Sequence, residues 1–438
     1  MMKREWSLAL GLVGSLVACG QAYDLAGTWH IAALDLPGNA SQNKDPQGIV
    51  IAVNGADSFH TTAGTLSIDA AGNVSGNVGE TVAGTATADA QGTVTLALTL
   101  PEVQNFTLTV TPTSDLMSTV HGAVDYNELL VLAKAPAAAV YSDAVGTWWV
   151  MELEVPATLD LQYNSQGKLT NIGNATNFRQ SRRPLVINGA GRYDYNSGDE
   201  AGNVAMAAGG ELVITPDATP ENPTNTPLHF HLNALKDVAI ATTADSYSCN
   251  MVILVKSHEV LPWEAAGNWA MSSLNLPGSL PLTFDSNHRV TNISRLDSFR
   301  RMNGSVNITV EGPLAGNLEN PFAGYAAGSS NGLLSIYHGE PVPFSAAVNT
   351  GGDFFVGVDN GSEDLSMIVG IRSIRPQVVG MLPGPAPQVV WVPGTGRVLQ
   401  EAATLGDWHN VPGSETTSSY TPNLSTAGTR HFYRLGAP

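Results

Sequence analysis

Residues 26–38 read AGTWHIAALDLPG, and the phrase returns as VGTWWVMELEVPA at 145–157 and AGNWAMSSLNLPG at 266–278. Trp29, Trp148 and Trp269 stand 119 and 121 residues apart. A period of that length marks duplication of a whole domain, because solenoid units repeat every 20–50 residues or so. The 438-residue chain is long enough for three or four domains. Landmarks place the units at 23–136, 141–258 and 263–376, joined by KAPAAAVYS and SHEVLPW.

Strand signals fill each unit. TVTLALTL (93–100) puts Val94, Leu96, Leu98 and Leu100 on one face, and FTLTVT (106–111) alternates in the same way. Hairpins are expected at 66–76, 161–171 and 282–292, each opened by Asp or Asn and two of them carrying a Gly suited to positive φ. Gly (45) and Pro (26) are plentiful, which suits many short strands and tight turns. The fold class is therefore all-β: three tandem antiparallel meanders of about 120 residues each, closed as barrels or stacked as sandwiches. The closing strands LLVLAK, MVILVK and MIVGIR are apolar at nearly every position. A strand buried on both faces reads this way, so the outer face (Met251/Ile253/Val255 or Val252/Leu254 in the second unit) is expected to bind the units into a rigid rod.

The Gly-x-Trp at the head of each unit, followed by a meander, resembles the opening of calycin barrels such as lipocalins and avidins. That resemblance implies a closed barrel. Residues 377–387 are a Pro-rich linker, and the tail, 388–438, resembles the small fibronectin type III-like modules at the ends of exported bacterial proteins.

Residues 1–22 read as an export signal: Lys3 and Arg4, then an apolar core from Trp6 to Ala18. LVAC at 16–19 matches a lipoprotein box with Cys19 as the lipidated residue; cleavage after Ala22 is the alternative. Either places the protein in the bacterial outer envelope or outside the cell, touching a membrane only through a lipid anchor. Cys249 is then the one remaining thiol of the body. The net charge of −18 comes from scarce Lys and Arg (20) rather than an acidic tract. Phosphate neutralisation needs a basic surface, so nucleic acid is excluded as a partner.

No cofactor motif occurs. GSSNG (328–332) matches Gly-x-Ser-x-Gly, but strand-like LLSIYH follows it, and a nucleophile elbow needs a helix there. His229 and His231 share one face of LHFHLN; two ligands are too few for zinc. DNGSED (359–364) lacks the order of a calcium loop. On the first strand, the face of Trp29 continues into Ile31, Ala33 and Asp35; its equivalents end in Glu152 and Glu154, and in Ser273 and Asn275. Such a face, apolar then polar, suits a ligand-holding barrel; a β-bulge would turn the acids to solvent instead. The segments 167–183 and 288–301 hold eight of the chain's 20 Lys and Arg: Lys168, Arg179, Arg182, Arg183, Arg289, Arg295, Arg300 and Arg301. They pair with the acidic surround, or they bind an anion or acidic glycan, since Arg forks grip carboxylates. The candidate ligand-binding set is thus Glu152, Glu154, Arg179, Arg182, Arg183, Arg300 and Arg301. The function expected is that of a non-catalytic binding or structural protein, its partner an envelope component, glycan or small ligand. A carboxylate-dependent hydrolase, or a ligand-binding barrel centred on the second unit, is the alternative.

Overall fold

The computed structural model describes residues 23–436 except 101, 219–225, 261–263, 310–311, 319, 338–343, 360–363, 373–379 and, in the tail, 383–387, 391–397, 403–408, 415–418 and 422–431. The export signal with Cys19, and most of DNGSED and of the Pro-rich linker, lie outside these residues.

Unit 1 contains β1 (Gly27–Pro37), β2 (Ser41–Lys44), β3 (Val50–Asn54), β4 (His60–Ile68), β5 (Asn73–Val78), β6 (Glu80–Ala88), β7 (Thr93–Leu100), β8 (Gln104–Val110), β9 (Leu116–Gly122) and β10 (Tyr126–Lys134). Eight of them close an antiparallel barrel in the order β1-β10-β9-β8-β7-β6-β5-β4, while β2 and β3 form a separate hairpin. Units 2 and 3 repeat this plan with first strands Gly146–Pro156 and Gly267–Pro277. Among the described residues, two three-stranded sheets follow the barrels, one of them taking Gly380–Leu382 from the segment expected to be linker; Val389, Leu399 and Val411 are buried together.

Each barrel is sealed at one end by its tryptophan. Trp29, Trp148 and Trp269 are fully buried, and each indole Nε1 donates to a backbone carbonyl four residues back, Leu25, Ala144 or Ala265, at 2.8 Å. Buried indoles need such a partner. The last strand supplies a cation over each ring: Lys134 at 5.9 Å, Lys256 at 5.5 Å and Arg372 at 4.6 Å. The three cations are register partners of the tryptophans.

The first strands contain no bulge. β1 pairs with β10 without a break from Trp29 to Pro37. Trp29, Ile31 and Ala33 enter the barrel core, while Ala32, Leu34 and Leu36 face outward and are equally buried. Both faces want burial, and both get it. The outward set belongs to one cluster shared by all three units. β1 and β4 lie on Val238–Ala244 and Ser248–Lys256 of barrel 2; the first strands of barrel 2 lie on Phe354–Asp359 and Asp364–Arg372 of barrel 3; those of barrel 3 return to β9 and β10. The barrels thus close a three-membered ring rather than the expected rod. A rod would leave the outward faces of its two end units wet, and closure buries all three.

The ring has two distinct ends. At one, Phe59, Phe178 and Phe299 meet with centroids 5.6–6.3 Å apart. The satellite hairpins add Val50 and Val53, Leu169 and Ile172, and Val290 and Ile293 to the same cluster. The hairpin expected at 66–76 is not the one in this position. It is the β4–β5 turn of the barrel, and unit 1's counterpart of 161–171 and 282–292 is 41–54. The two were confusable because both turns open on an aspartate whose carboxylate accepts backbone N–H bonds, from Ala71 and Asn73 at Asp69 and from Gln47 and Ile49 at Asp45. Gly48 and Gly167 hold positive φ in these satellite hairpins, and in unit 3 His288 does so at 56°.

At the other end lie three buried aspartates. Asp115 accepts from Asn233 of unit 2 at 2.6 Å, Asp237 from Thr350 of unit 3 at 2.5 Å, and Asp353 from Thr113 of unit 1 at 2.9 Å. Each carboxylate is bonded by the following unit, so the bonds form a cycle. Burial, together with the neighbouring Asp353 and Asp237, pushes the Asp115 carboxyl up to about 7, and burial raises Asp237.

Candidate functional site: the mouth of the first barrel

Trp29, Ile31 and Ala33 pack the floor of barrel 1, and Asp35 follows them on the same inward face. Its register partner on β10 is Glu128, so two acidic side chains stand side by side on one wall. Above the floor is a cavity of about 440 Å³. Leu66, Val82, Leu96, Leu98, Phe106, Leu130 and Leu132 line its lower part; Asp35, Glu128, Thr62 and Tyr126 line its upper part; exposed His60, Glu80, Gln104 and Asp125 mark its mouth. Asp35 Oδ1 is buried with no hydrogen-bond partner among the described residues. Burial pushes the Asp35 carboxyl up to about 7, and burial with the Asp35 charge pushes Glu128 to about 8. Water is scarce around these groups, so the charged form is disfavoured.

The equivalent positions in the other barrels differ. Glu154 pairs with Asn250, and Asn275 with Ser366. The seven residues singled out in the sequence do not form one constellation. Glu152 and Glu154 face into barrel 2, where Ser181 donates to Glu152 at 2.9 Å. Arg179 and Arg183 are on that same strand face, paired with Glu154 and Val150. Arg182 is on the opposite face, half-buried, its pKa lowered by burial and by Arg183. Arg300 pairs with Asn275 in barrel 3, and Arg301 turns outward and donates to Asn127 of barrel 1 at 2.8 Å. Of the remaining bases, Lys168 crosses to Asp45 of unit 1 at 2.6 Å, while Arg289 bonds its own turn residue Asp285 at 2.6 Å and Arg295 lies 3.7 Å from Asp364, both within unit 3.

His229 and His231 share a strand face and flank Glu211, the register partner of His231. His229 Nδ1 is 2.7 Å from Glu211. His231 stacks on His30 of barrel 1 at 3.9 Å with planes 6° apart. Burial keeps both stacked rings neutral, His30 down to about 4 and His231 lowered. No group of three His, Cys, Asp or Glu that could hold a metal occurs among the described residues. GSSNG turns from one barrel strand to the next, with Ser330 exposed in the turn.

Cys249 is buried and its Sγ approaches the Phe59 carbonyl at 3.6 Å. Burial first, then Asp245 and Asp35, push its thiol up. The thiolate is the reactive species, so native protein should stay unmodified by a thiol-specific disulfide reagent and react with one equivalent only after denaturation. Rapid labelling of folded protein at Cys249 would contradict this placement.

In the sequence the inward face leads to Asp35, but the candidate set singled out there, Glu152, Glu154 and five arginines, lies in units 2 and 3. Glu128, in YNELLVLAK, is not among them. Its signal was one acid inside an otherwise apolar closing strand.

No family model matches the sequence, and no curated protein matches it. Among solved structures the chain is similar to a double mutant of transferrin binding protein B from Haemophilus parasuis, at 11% identity over 79% of this chain and 75% of that one, with a TM-score of 0.23. Transferrin binding protein B from Neisseria meningitidis covers 79% and 76% at 9% identity, with a TM-score of 0.19. A protein of unknown function from the DUF3598 family of Nostoc punctiforme covers 79% and 96% at 8% identity, with a TM-score of 0.16. Likenesses of this size carry no argument about what the chain binds.

Proposed function

We propose that this is a non-catalytic binding protein of the bacterial envelope, lipid-anchored through Cys19, whose first barrel holds a small ligand with an apolar body and a polar end. The observation that carries the reading is the cavity above Trp29, Ile31 and Ala33. Its volume of about 440 Å³ lies within the range of small-molecule sites, and its lining is apolar below and polar above. The tail, a short fibronectin type III-like module, extends the chain beyond the ring. From the basic segments, Lys168 and Arg301 tie neighbouring units together.

A hydrolytic reading fits the carboxyl pair less well. Glycoside hydrolysis needs two carboxyl groups flanking the scissile bond. Asp35 and Glu128 are direct cross-strand neighbours and would face a substrate from the same side.

Native mass spectrometry of protein purified from its own host tests the binding reading. Wild type should carry a bound mass that is lost in Thr62→Trp, a substitution that fills the cavity from the β4 wall. A wild type with no added mass, or an adduct that survives Thr62→Trp, would overturn it.

A further inference from the structure

We propose that the ligand of barrel 1 is an amphiphilic amine, its ammonium group held between Asp35 and Glu128 and its hydrocarbon body on the leucine-lined floor. The inference rests on the binding reading above and names the ligand chemistry it left open.

Four carboxyl groups line or rim the cavity: Asp35, Glu128, Glu80 and Asp125. Among the described residues no lysine or arginine lines it, and His60 at the mouth is its one basic side chain. A carboxylate ligand would therefore enter against like charge with no cation to meet it. A neutral alcohol would satisfy one acceptor. An ammonium carries three donors and can meet the free Asp35 Oδ1 and the Glu128 carboxyl together, in a water-poor site where charge-assisted bonds are strong. An inorganic cation fits less well, since calcium takes six to eight oxygens and the lower wall supplies none.

The empty pair holds protons that the ammonium must displace, because burial favours the neutral acids. Binding therefore releases protons, and affinity rises with pH. Other titratable groups surround the pair. Glu80 and Asp125 stand at the rim. His60 is the register partner of Asp35 on β4, and His121 is that of Glu128 on β9, its pKa lowered by burial and by Arg301. Tyr126, on β10, feels Glu128, Asp35 and Arg301 of barrel 3, and its own pKa is raised by burial. Behind the wall, Cys249 and Asp245 of barrel 2 add no positive charge.

Isothermal titration with octylamine, octan-1-ol and octanoate, each at pH 6, 7 and 8 and in two buffers of different ionisation enthalpy, tests the inference. Octylamine should bind tightest, gain at least about tenfold from pH 6 to pH 8 by proton linkage, and release protons at pH 7. Glu128→Gln and Asp35→Asn should weaken octylamine about tenfold or more and leave octanol unchanged. If octanol or octanoate binds as tightly as octylamine and Thr62→Trp abolishes both, the cavity is a ligand site but the amine assignment is wrong. If octylamine binds without proton release or pH dependence, the assignment is also wrong. If none of the three binds, the assignment and the binding reading fall together. The proton count is made on wild type, so it decides the matter even if a variant fails to fold.

Discussion

Ile253→Asp is expected to unfold the ring as thoroughly as Leu254→Asp, although the two side chains point in opposite directions. Leu254 faces the core of barrel 2, and Ile253 faces the cluster shared by all three units; both are 0% exposed. Either change removes a buried aliphatic chain, worth roughly 2–5 kcal/mol, and leaves an unpaired carboxyl in an apolar site. A loss beyond about 5 kcal/mol is a large part of the 5–15 kcal/mol that holds a typical native protein together. The control is Val186→Asp, on an exposed outward position of the same barrel, which should change stability by about 0.5 kcal/mol or less. Denaturant melts followed by tryptophan fluorescence, with small-angle scattering at low denaturant, distinguish the cases. An Ile253→Asp protein with an unchanged midpoint and unchanged scattering would mean that the outward faces do not hold the ring.

Stability should fall by several degrees of Tm as pH rises from 6.5 to 8.5. The Asp35, Glu128 and Asp115 carboxyls are held up to about 7, 8 and 7, and Asp237 is raised as well. Their unfolded values are near 4. Between those limits the folded chain binds more protons than the unfolded one, so the stabilisation is whole below about pH 4 and is lost as pH rises through 7–8. The stacked His30 and His231 act with the opposite sign. Their folded values lie below the unfolded 6.5, so they remove stability as pH falls from 6.5 towards 4. Above pH 6.5 the histidine effect fades, and the carboxyls dominate. One proton contributes about 1.4 kcal/mol per pH unit over the interval in which it is taken up, and several share the window, so a total of about 2–4 kcal/mol is expected. Glu128→Gln should flatten the upper part of the curve by removing the highest of these groups. Calorimetric scans in steps of half a pH unit check this. A Tm constant or rising from pH 6.5 to 8.5 would mean that these carboxyls are ionised and solvated at neutral pH.

Local pattern carried the fold to the level of the single barrel. Gly-x-Trp at 27–29, 146–148 and 267–269 marked the first strands, alternation at 93–100 and 106–111 marked barrel walls, and unbroken apolar runs at 251–255 announced burial on both faces. These signals survive in sequence because strand periodicity is a local property. The satellite hairpin of unit 1 was not legible, because the turns at Asp45 and Asp69 have the same aspartate-to-glycine chemistry and differ only in which strands they join.

Repeat spacing and strand periodicity are enough to give three all-β units, their order, and strands that must bury two faces. Tertiary structure decided what covers the second face. Leu34, Leu153 and Leu274 look alike in the three copies whether the units form a rod or a ring, and only closure in space puts Phe59, Phe178 and Phe299 together at one end and bonds Asp115, Asp237 and Asp353 in a cycle at the other. It also decided the site. Asp35 and Glu128 are 93 residues apart in the chain, and they become neighbours because barrel closure pairs the first strand with the last. Their altered acidity comes from the water excluded around them, which depends on the enclosing barrel rather than on either residue's neighbours in sequence.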